Sequence, residues 1–250
     1  TALGHAPAAA MINAEKGSRL AIAESLTNLI WAPLKDNLKS VSLSANWMWP
    51  CNNDGEDARL YQAVEPISTF ACDLGINIPT GKDSLSMTQK YKNDVVYAPG
   101  TVIITASGEV SDVRKIVEPV IVNDENTSLI YIDLSKEEYK LGGSSFAQVL
   151  NKLGTDAPTI TDTKYFAKAF NAVQELIKSG QVLAGHDISA GGMVTSLLEM
   201  TFSNSTGGIE INLDSIDEAD VIKILFSENP GLMIPVNDAD SVLSIFGNDN

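Results

Sequence analysis

Gly185-His186-Asp187-Ile188-Ser189-Ala190-Gly191-Gly192-Met193 places an acid, a hydroxyl and three glycines between two apolar stretches. Upstream, Gln181-Val182-Leu183-Ala184 reads as an incoming strand. Downstream, Met193, Leu197, Leu198 and Phe202 keep near-helical spacing, so the segment is predicted to be a strand-to-helix turn. Glycines let the backbone approach a ligand closely, first-turn amides donate to anionic oxygens, and Asp187 has the chemistry to hold the magnesium that accompanies a nucleotide. Close packing is the commoner reason for glycine at such a turn. The alternation of strands and helices around this segment argues for an α/β chain.

Working upstream, the second half opens with the strand Leu129-Ile130-Tyr131-Ile132. Lys140-Leu141-Gly142-Gly143-Ser144-Ser145 leads into a helix expected to run through Leu153. Tyr165 to Lys178 forms another, with Phe166, Phe170, Val173 and Ile177 inward. Beyond the glycine-rich motif, Gly208 to Leu213 reads as a short strand. Ser227-Glu228-Asn229-Pro230-Gly231 then makes a turn into the strand Leu232 to Val236. Charged residues and Pro119 interrupt the apolar pattern between Ser111 and Asn126, which places a domain boundary there: 1–112 and 113–250.

In the first half, Asn13 to Ile30 is a helix stopped by Pro33. Glu24 and Asn28 stand four apart on one of its faces, able to present two oxygens to one cation, although a solvated polar stripe is the commoner reading. Val41 to Trp47 alternates as a half-buried strand, with Ser42, Ser44 and Asn46 on its second face. Glu56 to Leu74 reads as a helix that Pro66 should kink or split. Val95 to Val110 is one or two strands around Pro99-Gly100. Pro79-Thr80-Gly81-Lys82-Asp83-Ser84 invites comparison with a phosphate-binding loop, but Gly75 is one residue too far from Gly81 and Asp83 takes the hydroxyl position. What remains is an apparent turn with Lys82, Asp83 and Ser84 beside a glycine, chemically apt for an anion and its metal, although an ordinary surface turn is the commoner reading.

Composition excludes several classes. A net charge of −15 over 250 residues opposes tracking of a nucleic-acid backbone. It leaves polyphosphates open, because magnesium and backbone amides need no net positive charge. Cys51 and Cys72 form no metal or disulfide pattern, which fits a reduced, cytoplasmic setting. No apolar run reaches membrane-spanning length. The missing initial Met and the closing Phe246-Gly247-Asn248-Asp249-Asn250 suggest an excised fragment.

Gly185 to Gly192, Pro79 to Ser84, Ser44-Ala45-Asn46-Trp47-Met48-Trp49-Pro50 and Leu141 to Ser145 together resemble the synthetase region of the phosphoribosylformylglycinamidine synthase family, large single-chain form, in its second half. Parts are shared with the wider superfamily of aminoimidazole ribonucleotide synthetase, selenophosphate synthetase and thiamine-monophosphate kinase. The resemblance implies an α/β (α+β) architecture like that of aminoimidazole ribonucleotide synthetase: an N-terminal domain whose sheet pairs with a sister domain into a barrel, then a C-terminal α/β domain. It implies a ligase in purine biosynthesis, in which ATP phosphorylates the amide oxygen of formylglycinamide ribonucleotide. Ammonia from glutamine, released by a glutaminase domain beyond this chain, then displaces the phosphate.

By resemblance, Glu24, Asn28 and Asp187 are magnesium ligands and Ser189 contacts ATP. Lys82, Asp83 and Ser84 are weaker assignments to the phosphate or substrate side, and His186 is a structural neighbour of Asp187. A further metal-binding acid of the family would precede Thr1. The chain alone is therefore expected to make no ammonia from glutamine and to lack complete synthase activity. Two alternatives stay open: a module that holds nucleotide structurally without turnover, and an independent ATP-dependent synthetase or kinase of the same superfamily.

Overall fold

A computed structural model describes residues 1–122 and 124–246; the closing 247–250, on which the fragment expectation draws, lies outside them. Strand β1 (Ala2–His5) is followed by helices α1 (Pro7–Ile12) and α2 (Ala14–Leu29), strand β2 (Val41–Met48), helix α3 (Glu56–Leu74) and strand β3 (Asn77–Ser84). A hairpin, β4 (Thr88–Lys90) and β5 (Val95–Tyr97), then leads to β6 (Thr101–Gly108). The first sheet has the order β1-β6-β2-β3, with only β2 and β3 parallel. Alternation in β2 turns Val41, Leu43 and Ala45 inward; on β6 the buried Ala106 and Ile104 stand opposite Leu43 and Ala45, and buried Val102 opposite Trp47. Helices α2 and α3 cover that face.

Local chemistry places the helix ends. Asn13 caps α2 by accepting from the Lys16 N–H at 3.0 Å, and Gly75 ends α3 in the left-handed conformation. Helix α3 runs unbroken through Pro66, against the expected split. Its buried residues Ala63, Ile67, Phe70, Ala71 and Leu74 form one stripe, and packing along that stripe outweighs one lost backbone hydrogen bond. The segment 79–84 is likewise not a turn. It lies within β3, where Ser44, Asn46 and Met48 of β2 stand opposite Thr80, Lys82 and Ser84. An exposed edge strand tolerates polar side chains on both faces because its stability comes from the ladder.

The second half contains β7 (Ser128–Asp133), α4 (Ser145–Val149), α5 (Thr163–Ser179), β8 (His186–Ile188), α6 (Gly192–Glu199), α7 (Val221–Phe226), β9 (Gly231–Val236) and α8 (Ala239–Phe246). Its antiparallel sheet has the order β7-β9-β8, and every residue of central β9 is buried. One face, with Ile130, Ile132, Leu232 and Ile234, joins the core that contains α5; Met233 on the other packs with α6 and Ile224 of α7.

Three expectations are corrected here. Gln181–Ala184 forms no regular strand: the ladder to β9 starts at His186 opposite Met233, so the motif itself supplies the strand. The helix expected through Leu153 ends at Val149, and Asn151 takes a φ of 55°. Gly208–Leu213 forms no strand, since it has no ladder partner and its residues are mostly exposed.

One core cluster draws residues from both sides of the 111–126 segment. Helix α5 packs on α3, with the Phe70 and Phe166 rings edge to face at 5.9 Å, and one cluster runs from Ile22 and Leu26 to Val173 and Ile234. Gln174, fully buried on α5, accepts from the Leu34 N–H at 2.7 Å. It also donates to the carbonyls of Ile30 and Ala32. The end of α2 is thereby pinned to the second half.

Candidate functional site

Packing α2 against the second half brings Glu24 to the glycine-rich motif, far apart as they are in sequence. Ser189 donates its hydroxyl to Glu24 Oε1 at 2.9 Å, and the backbone N–H of His5 donates to Glu24 Oε2 at 2.7 Å. One turn along the helix, Thr27 Oγ1 lies within hydrogen-bond reach of both Asp187 Oδ2, at 3.3 Å, and the Glu24 carbonyl, at 3.1 Å. Asn28 gives its amide N–H to the Leu3 carbonyl at 3.1 Å. Strand β1, helix α2 and the motif thus meet in one place.

A cavity of about 300 Å³ opens there. Its walls include His5, Glu24, Thr27, Gly143, Ser189 and Glu228. Glu24 and Ser189 line it directly, while Asp187 is joined to it through Thr27. A larger cleft of about 820 Å³ lies between α6 and the 204–211 segment. Its acids, Asp124, Glu125 and Glu210, lie outside the glycine-rich motif, whereas the smaller cavity is walled by it.

Asp187 is 5% exposed, and burial pushes its carboxyl above the ordinary carboxylate range. His186, its own backbone N–H and the Thr27 hydroxyl pull it down, whereas the nearby Glu24 charge pushes it up again. A cation would relieve both the burial and the mutual repulsion of the two acids. Each Glu24 oxygen accepts one hydrogen bond and retains a second lone pair, and Asn28 has an amide oxygen to add. These hard oxygens suit magnesium, which keeps several ligand positions for water and phosphate. Among the described residues no cluster of three His, Cys, Asp or Glu forms an all-protein cage.

The glycines have packing reasons. A Cβ on Gly185 would lie 2.0 Å from the Trp31 ring, and Gly191 has a φ of 93°, which an L side chain rarely adopts. Packing therefore explains these two positions, while Ser189 and Ala190 between them line the cavity. His186 sits at the side: its Nδ1 is 2.7 Å from the Asp187 carbonyl oxygen and its Nε2 3.1 Å from Glu199 Oε2.

Lys82, Asp83 and Ser84 do not join this group. They lie on β3, the sheet edge opposite β1, about 14 Å away over three strand spacings. Lys82 Nζ donates to the Asp83 carbonyl at 2.8 Å. Trp49, from the Ser44–Pro50 segment, is fully buried with the Arg59 guanidinium 5.1 Å from its ring centre, a packing role. Sequence reasoning missed His5, Thr27 and Glu228. Thr27 was accessible as the i+3 neighbour of Glu24; His5 and Glu228 carry no local signal. No described helix is long and apolar enough to cross a membrane.

Residues 1–109 match the family model described as the FGAR-AT PurM_N-like domain, and 128–250 match that of the AIR synthase related protein, C-terminal domain. A probable phosphoribosylformylglycinamidine synthase of Caenorhabditis elegans is 40% identical over 98% of this chain and 19% of its own length. The Homo sapiens phosphoribosylformylglycinamidine synthase is 37% identical over 96% of the chain and 18% of its own length. The chain thus spans about a fifth of the length of these curated relatives. Among solved structures, Thermotoga maritima PurL complexed with FGAR superposes with a TM-score of 0.67 at 14% identity, over 98% of this chain and 39% of that one. The same protein complexed with ATP gives 0.60 at 13% identity, over 97% and 36%. At such identities the likeness establishes the two-part fold.

Proposed function

The chain belongs to the phosphoribosylformylglycinamidine synthase family, and from that membership we propose that its cavity holds the magnesium-bound phosphates of ATP within such an enzyme. The observation that carries this reading is the meeting of Glu24 and Ser189 at one cavity, with the buried Asp187 behind its wall beside Thr27. The complexes of Thermotoga maritima PurL with ATP and with FGAR support carrying those two ligands over to the whole enzyme.

In this reading Glu24, Asn28 and Asp187 hold magnesium, which would neutralise phosphate charge when bound. Ser189 exchanges its bond to Glu24 for one to a phosphate oxygen. Gly143 and Ala190 form the adjoining walls. The whole enzyme would activate the amide oxygen of formylglycinamide ribonucleotide by phosphorylation, because that oxygen leaves poorly on its own. Its remaining domains would supply ammonia from glutamine.

A calorimetric titration of ATP into the chain, with and without magnesium, tests the site alongside Asp187→Asn. Magnesium-dependent binding that disappears in the variant is the expected result. Equal binding by a folded Asp187→Asn variant would refute it.

A further inference from the structure

Glu228 belongs to none of the proposed ligand contacts, yet it lines the same cavity. Its Oε1 accepts two backbone N–H groups, from Gly191 at 2.8 Å and from Ser145 at 2.7 Å. Those amides belong to separate loops: one leaves the glycine-rich motif, the other follows Gly142-Gly143, and both loops wall the cavity. A single carboxylate oxygen therefore holds the two loops together. Bonds from amides to a charged acceptor are among the stronger ones available to a loop.

The next residue repeats the device toward another segment. Asn229 is 1% exposed, and its side-chain N–H groups donate to Ser135 Oγ and to the Glu138 carbonyl, each at 3.1 Å. Its Oδ1 accepts from the Lys140 N–H at 3.3 Å. The turn from Ser227 to Pro230 thus ties together Gly191, Ser145 and the 135–140 segment. Gly191 stands at the N-terminus of α6, where no upstream helical carbonyl is available, and its N–H takes its acceptor from this turn.

We propose that Glu228 is a positioning residue whose carboxylate oxygen holds Gly191 and Ser145 in the arrangement that receives the nucleotide. It acts as a hydrogen-bond acceptor, so glutamine can replace it in part and alanine cannot. The nucleotide part rests on the reading given above; the bracing part does not.

Both parts are measured on the full 250-residue chain with Glu228→Ala, Glu228→Gln and, as a destabilised control on the adjoining strand, Ile234→Val. Without ligand, hydrogen exchange at the Gly191 and Ser145 amides should quicken about tenfold or more in Glu228→Ala, the scale of one charge-assisted bond. Glu228→Gln, which keeps an acceptor oxygen without the charge, should fall between wild type and Glu228→Ala, and Ile234→Val should leave it near wild type. Magnesium-ATP affinity should fall by about the same factor in Glu228→Ala and by less in Glu228→Gln. Unchanged exchange in Glu228→Ala would overturn the proposal. So would Glu228→Gln behaving like Glu228→Ala, or Ile234→Val loosening the same two amides equally. If the wild-type chain binds no magnesium-ATP, the nucleotide reading fails by itself and the exchange data still decide the bracing.

Discussion

Replacing Gln174 by leucine keeps the bulk of a fully buried side chain and removes only its polar end. Three backbone groups lose their partner: the Leu34 N–H and the carbonyls of Ile30 and Ala32, all where α2 turns toward β2. Each buried polar group left unpaired costs about 1–3 kcal/mol, and carbonyls tolerate the loss better than an N–H, so the sum is about 3–5 kcal/mol. That is a large share of the roughly 5–15 kcal/mol that keeps a domain folded. For a chain of this length it corresponds to a fall in melting temperature of about 10 °C. Urea denaturation followed by far-ultraviolet circular dichroism reads it directly, provided the slope against urea is unchanged. A loss below about 1 kcal/mol would refute the claim that this side chain pins the two halves together.

Asp187→Asn should stabilise the ligand-free chain at neutral pH while abolishing magnesium-dependent binding. Because burial raises the folded carboxyl above its unfolded value, wild-type stability should fall as pH rises from the unfolded value through the folded one. The variant should lack that decline, and identical pH profiles in urea melts would contradict it. Gly185→Ala should cost about 1–3 kcal/mol, since its Cβ would meet the Trp31 ring at 2.0 Å and force the indole aside. Near-ultraviolet circular dichroism should register the shift, and a neutral effect would mean the ring moves freely.

Helix α2, strand β2, helix α5 and strand β9 were legible because each writes its own burial pattern into consecutive residues. Strand β3 was not, since Pro79 to Ser84 is polar and its pairing partner lies some forty residues earlier; only the ladder to β2 makes it a strand. The short β8 hid inside the glycine-rich motif for the same reason. Pro66 does not split α3: its local cost is visible in sequence, whereas the compensating contacts of Phe70 and Leu74 are not.

The candidate site divides along the same line. Glu24, Asn28, Asp187 and Ser189 stood out by residue type, spacing and resemblance. Which of them touch was decided by packing: Ser189 on Glu24, Thr27 on Asp187, and Asn28 turned to β1. Sequence by itself determined the chemistry on offer, because hard oxygens and glycines are properties of residues. Only the tertiary structure decided that Glu228 would join two loops and that α2 would lie against the motif. Both follow from long-range burial and hydrogen bonding, which bring together residues that no local pattern relates.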